Sequence, residues 1–190
     1  MDCMEALLGR RSIRHYTEEP VREEHIDALL HAAMAAPSAF NEQSWRFVVV
    51  TDKTVLEALS ETHTYSKMIA TAPLAIAVCG DRGAERYPGF YWMQDCTAAL
   101  TNMLAAAHAS GLGACWVGVQ PWPDRAKHVR ETLGLPTGVE PLALVAVGHP
   151  AEKKPPVDRF TPGFVHRDRW QGSGATGLDR PEPPGVAEWE

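Results

Sequence analysis

Arg10-Arg11-Ser12-Ile13-Arg14 places three guanidinium groups and a hydroxyl within five residues of a chain whose formal net charge is -6. A guanidinium is always charged and presents a planar fork of N–H donors, which suits a phosphate better than the point charge of a lysine. The stretch follows the apolar-periodic residues Met4, Leu7 and Leu8, so it emerges where a first helix ends. In extended chain Arg10, Ser12 and Arg14 share one face. Taken alone, the five residues fit a phosphate clamp and a solvated basic patch equally well.

Two further stretches carry groups suited to a flat ligand. Pro37-Ser38-Ala39-Phe40-Asn41-Glu42-Gln43-Ser44-Trp45 is a loop rich in amides and hydroxyls that runs straight into an apolar strand. Such a loop can hydrogen-bond the edge of a heteroaromatic ring, or its side chains can simply cap the turn between a helix and a strand. Gly111-Leu112-Gly113-Ala114-Cys115-Trp116-Val117-Gly118 brings glycines to the start of another strand. Its Gly-x-Gly precedes a strand and not a helix, which excludes a Rossmann fingerprint. The glycines let backbone approach a flat ligand or end a helix in a C-cap. Cys115, lying in an apolar run, reads as a small core residue in preference to a redox thiol.

The elements that must position these stretches are legible from periodicity. Glu5–Gly9 completes a short opening helix, and Val21–Ala35 repeats Ile26, Leu29, Leu30, Ala33 and Met34 on one face until Pro37 stops it. Arg46–Val50 reads as a strand, Thr54–Leu59 as a short helix and Ala72–Cys79 as a buried strand. Phe90–Ser110 is the longest helix, apolar on more than one side and therefore buried on more than one side. Asp124–Leu133 is a further helix, and Pro141–Gly148 is the last strand.

At 190 residues, 45% hydrophobic and 22% charged, the chain can bury a core of its own. No run approaches the ~18 apolar residues that cross a bilayer, and no signal-peptide pattern opens the chain, so no membrane partner and a cytoplasmic location are expected. The acidic balance speaks against nucleic acid. The four cysteines are widely spaced and the eight histidines form no ligand motif, so neither a disulfide framework nor a metal is assigned. From Pro150 onward there are seven prolines and five glycines, with Lys153, Lys154 and Arg159 supplying positive charge. Residues 171–190 are expected to be a loose tail after a 1–170 domain.

In order, these motifs, together with Asp158-Arg159 after the last strand, resemble the FMN-dependent nitroreductase family over roughly residues 3–170. The resemblance implies an α+β fold, a mostly antiparallel sheet flanked by helices, in an intertwined homodimer with FMN at the subunit interface. It implies that Arg10, Arg11, Ser12 and Arg14 hold the FMN phosphate with Arg159. Pro37, Ser38, Ala39 and Asn41 of the partner subunit would line the ribityl chain and ring. The backbone of Trp116, Val117 and Gly118 would face the flavin, with an N–H near N5. Thr64 falls near a position where relatives place a polar contact to the pyrimidine ring. No side chain is assigned a catalytic role.

The activity so implied is NADH- or NADPH-dependent reduction of a nitroaromatic, quinone or similar small acceptor by a ping-pong mechanism. A dehalogenase or flavin-consuming enzyme on the same fold is an alternative, as is a non-catalytic flavin-binding module. The chain departs from the family at Ser44, where relatives usually carry Pro, which is expected to loosen the turn before Trp45. The segment before the long helix is also too short for a large lid, which favours an open reductase.

Overall fold

Leu74–Asp81 (β2) and Val139–Gly148 (β4) are nearly continuous apolar runs, the pattern of strands covered on both faces. The computed structural model, which describes residues 1–87 and 89–171, places them at the centre of a four-stranded sheet of order β1-β2-β4-β3. Trp45–Val50 (β1) and Gly113–Gly118 (β3) form its outer strands, and every pairing is antiparallel. The chain divides into two compact units, Met1–Val157 and Asp158–Glu190, and the sheet lies in the first. The expectation of a loose tail falls almost wholly on residues 172–190, outside the described residues.

Alternate side chains of the central strands feed two cores, as the period of a strand demands. Leu74, Ile76, Val78, Val145 and Val147 pack with Glu23–Met34 (α2) and Trp92–Ala109 (α4), through Leu29, Leu100 and Met103. Ala75, Ala77, Leu144 and Ala146 face Lys53–Leu59 (α3) and Pro123–Leu133 (α5), through Leu56, Leu59 and Val129. The register runs Ile76 to Val145 and Val78 to Ala143, then slips so that Cys79 faces Pro141. A proline cannot donate to a ladder, and the bulge at this point absorbs it.

The opening helix Cys3–Gly9 (α1) starts at a reciprocal cap between Asp2 and Glu5. Of its residues only Ala6 is buried, and Met4, Leu7 and Leu8 are exposed. The long helix α4 has no side-chain cap of its own at Tyr91. Glu85, nearly fully buried, supplies one from the preceding loop: its carboxylate accepts from the N–H groups of Gly89 at 2.6 Å, Tyr91 at 3.2 Å and Trp92 at 2.8 Å. Three orphan donors and the positive end of the helix thus share one anion. At the other end Gly111 (φ 77°) closes a Schellman motif, its N–H on the carbonyl of His108 and that of Leu112 on Ala107. Gly111 therefore ends a helix.

Replacing Glu85 with Ala strands those three donors and is expected to cost about 2 kcal/mol of stability. Glu85→Gln, which keeps acceptors but no charge, should cost less. Urea unfolding of the three proteins checks this ordering, and equal stability of Glu85→Ala and wild type would contradict it.

Candidate functional site

The arginine stretch is extended, as its alternation suggests, and lies along the free edge of β3. Ser12 forms a parallel bridge with Ala114, and the Ile13 N–H donates to the Ala114 carbonyl at 3.1 Å. Ile13 is buried against Gly113, where a Cβ would stand 2.7 Å from the Ile13 Cγ2. Gly113 thus leaves room for Ile13. With Ile13 turned inward, Ser12 and Arg14 turn the other way.

The segment that follows β4 grips this stretch from the other side. Thr17 N–H donates to His149 and Ala151 N–H to His15, each at 2.9 Å. Glu152 accepts on one oxygen from the N–H groups of Arg14 at 2.6 Å and His15 at 3.3 Å, and from the Lys154 ammonium at 3.0 Å. Lys154 in turn donates to the Ser12 carbonyl at 2.9 Å, and Arg11 donates to the Pro155 carbonyl. The Arg14 N–H first, and then Lys154, hold the Glu152 carboxyl below the usual carboxylate range. Tyr16 ties the stretch to the sheet, its hydroxyl donating to Ile13 O at 2.6 Å and Ala146 O at 3.2 Å.

Beneath the stretch lies the Cys115 thiol. Burial pushes it up, while Arg14, Lys154, the Ser12 hydroxyl and Arg10 act in the opposite direction. The pairing of Ser12 and Ile13 with Ala114, and the Lys154 bond to the Ser12 carbonyl, set Arg10, Ser12, Arg14 and Lys154 along this one edge of β3. Cys115 itself is a buried core thiol, 2% exposed, as its apolar run implies. Within this stretch one N–H of the Arg11 guanidinium donates to the Pro155 carbonyl. Arg159 belongs to the second unit, where its carbonyl accepts from the Thr161 hydroxyl at 3.4 Å.

The loop after α2 is built on a buried acid. Asp95, 3% exposed in the first turn of α4, accepts the Ala39 N–H at 2.9 Å, and the Ser44 hydroxyl lies 3.5 Å from its other oxygen. Ser38 Oγ accepts from the Gln43 N–H, and Gln43 Nε2 donates to Asn41. Phe40, Asn41 and Gln43 all hold positive φ, between 51° and 56°. Ser44 is fully buried and its carbonyl accepts from Asp81, so the turn before Trp45 is held rather than loosened: a hydroxyl can reach Asp95 where a proline ring cannot. Among the described residues no hydrogen bond joins residues 37–41 to the arginine stretch of the same chain.

On β3, Trp116 is 39% exposed, Val117 is buried and Gly118 half-buried. The Gly118 carbonyl accepts from Arg125, whose guanidinium also stacks over the Trp122 ring at 5.0 Å. Thr64 is exposed at the start of a short 3-10 helix, Thr64–Thr71, that the periodicity did not reveal. Its N-cap, His63, takes the Tyr65 N–H on Nδ1, and burial followed by the Arg125 charge keeps its pKa below the usual imidazole value. Glu152, Asp95 and Glu85 were not singled out by sequence, and Lys154 was noted only for its charge. The available signal was the Glu152-x-Lys154 pair directly after the last strand.

The family model described as the Nitroreductase family matches residues 7–64 and 57–149. The chain belongs to the nitroreductase family. A protein of Methanothermobacter thermautotrophicus, provisionally named NADH dehydrogenase/NAD(P)H nitroreductase, is 45% identical over 170 residues, which span 90% of this chain and 88% of that one. A solved structure with the same provisional name, from Parabacteroides distasonis, has a TM-score of 0.84 at 39% identity and covers 88% of this chain and 98% of its own. A provisionally named nitroreductase from Desulfovibrio desulfuricans, solved in complex with FMN, has a TM-score of 0.78 at 32% identity, covering 90% and 99% of the two chains. In this family member the matched region holds the arginine stretch, the Asp95-anchored loop and β3, and it stops just short of Glu152 and Lys154.

Asp95 is expected to be the anchor on which the loop depends. Asp95→Ala leaves the Ala39 N–H without its acceptor and should lose about 2 kcal/mol, with amide exchange at Ala39 and Gln43 faster than in the wild type. Asp95→Asn should preserve most of the protection. Amide hydrogen exchange by mass spectrometry reads both, and undisturbed protection at Ala39 in Asp95→Ala would contradict the assignment.

Proposed function

We propose that the protein is an FMN-dependent oxidoreductase that takes a hydride from NADH or NADPH and reduces a nitroaromatic, quinone or similar small acceptor. The observation that carries this reading is the placement of Arg10, Ser12, Arg14 and Lys154 along one edge of β3, set by the Ser12–Ala114 bridge and the Lys154 bond to Ser12. These cations share one short segment, and the carboxylate beside them, Glu152, pairs with Lys154 and accepts the Arg14 backbone N–H. A phosphate monoester dianion completes the balance and takes the forked donors that the arginines offer. The residues present therefore fit the terminal phosphate of FMN, and the relative solved with FMN agrees with that choice.

In this reading Arg10, Ser12 and Arg14 hold the phosphate, and Lys154 adds charge beside it. The backbone of Trp116, Val117 and Gly118 faces the ring, with Arg125 fixing the peptide that follows Gly118. Pro37, Ser38, Ala39 and Asn41 line the cofactor held by a second copy. Thr64 supplies a polar group toward the pyrimidine edge. When bound, FMN supplies the hydride chemistry, accepting from the nicotinamide and passing reducing equivalents to the acceptor. The protein contributes binding, orientation and exclusion of water, and its open site admits the two substrates in turn, a ping-pong scheme. A cytoplasmic location, where nicotinamide nucleotides are at hand, belongs to the same reading.

The working unit is a homodimer. Met4, Leu7 and Leu8 on α1, Met93 on α4, and Phe40 and Phe90 beside it leave apolar side chains exposed on one copy. An interface that covers them and completes two sites is expected to bury more than ~2,000 Å² in total. Sedimentation at micromolar concentration should give a dimer, and a stable monomer that retains FMN would exclude it.

The purified protein is expected to be yellow and to release FMN on denaturation. Titrating the flavin-free chain, Arg14→Ala should weaken FMN by about 10- to 100-fold, the worth of one charge-assisted hydrogen bond. Arg14→Lys should recover part of the loss, because charge is kept and the fork is not. A colourless protein that takes up no added FMN would overturn the reading.

A further inference from the structure

The geometry points to Glu152 as a positioning residue of the phosphate site, an assignment that rests on the FMN reading above. Glu152 lies beyond the region matched by the family model and carries no group that would itself bind a phosphate. One of its oxygens gathers three donors: the N–H of Arg14 at 2.6 Å, the N–H of His15 at 3.3 Å and the ammonium of Lys154 at 3.0 Å. Lys154 passes the restraint on to the Ser12 carbonyl at 2.9 Å. A single carboxylate thus sets the direction of the Arg14 backbone and the place of the Lys154 charge, and through Lys154 it touches Ser12.

The stretch does not depend on Glu152 for its attachment. The Ser12–Ala114 bridge, the Ile13 bond to Ala114, the Thr17 bond to His149 and the Ala151 bond to His15 all remain without it. What Glu152 adds is orientation of the phosphate-facing groups. It does so at an electrostatic cost, since a carboxylate beside a phosphate repels it. Lys154 and the two N–H groups offset that repulsion, and they hold the carboxyl ionised. Two effects of removing Glu152 therefore oppose each other. Loss of the negative charge would tighten phosphate binding, and loss of orientation would loosen it.

The test is titration of the flavin-free full chain with FMN and with riboflavin, which lacks the phosphate, at one fixed ionic strength. Glu152→Ala is expected to weaken FMN by about 10-fold and leave riboflavin unchanged, so that the preference for FMN over riboflavin falls by the same factor. Glu152→Gln, whose amide oxygen still accepts the Arg14 and His15 N–H groups, is expected to lose about 3-fold on FMN alone. Unchanged or tighter FMN binding in Glu152→Ala would overturn the assignment, because charge and not orientation would then dominate. A parallel loss of FMN and riboflavin in either variant would also overturn it, showing a general structural role. If Glu152→Ala does not fold, the FMN-to-riboflavin ratio of Glu152→Gln decides alone. Wild-type protein that binds FMN no better than riboflavin would overturn the functional reading itself, an outcome separate from any result on Glu152.

Discussion

The site depends on one short piece of backbone pairing, the attachment of Ser12 and Ile13 to Ala114 on the free edge of β3. An edge strand offers a row of unpaired N–H and C=O groups, and here an extended segment uses them. Pairing imposes the two-residue period of a strand on the arginine stretch. Ile13 is committed to the interior, against a glycine that leaves it room, and Ser12 and Arg14 are committed to the opposite side. Without that edge the same residues would be a mobile basic patch on an acidic protein.

Buried carboxylates do the remaining positioning, each by collecting N–H groups that would otherwise lack partners. Glu85 collects three at the start of α4, and Asp95, one turn further along, takes Ala39 and Ser44. An isolated buried charge is costly, but one that accepts several hydrogen bonds repays much of that cost. Asp95 ties the loop at residues 39–44 to the helix terminus that Glu85 caps. That tie sets three residues at positive φ, Phe40 and Gln43 among them, conformations that a loop without an anchor would relax.

The two halves of the candidate site use opposite electrostatics. The arginine stretch gathers like charges and leaves a positive excess for a ligand to neutralise, whereas the 37–44 loop is held by hydrogen bonds within itself and to the buried Asp95. A phosphate end and a flat ring end ask for that difference: strong, forked charge at one, and preset shape with few free donors at the other. The family to which the chain belongs supplies the ligand that has both.

Most of the fold was legible in the residues. The apolar runs at 72–79 and 141–148, the three-and-four spacing at 21–35 and the long small-residue helix at 90–110 match β2, β4, α2 and α4 to within a few residues, because periodicity reports which faces are buried. That Ser12 and Arg14 flank a buried Ile13 in extended chain was legible too, since it follows from alternation. The diversion of Arg11 to Pro155, and the roles of Glu152, Lys154, Asp95 and Glu85, were not. Their partners are distant in sequence, and the Arg14–Glu152 bond spans 138 positions. A polar side chain carries no periodic signal of the N–H it will meet. Sequence by itself determined which faces are apolar and which residue types could meet a phosphate. Only the tertiary structure decided which carboxylates are buried, because burial and hydrogen-bond partners are set by segments brought together across the whole chain.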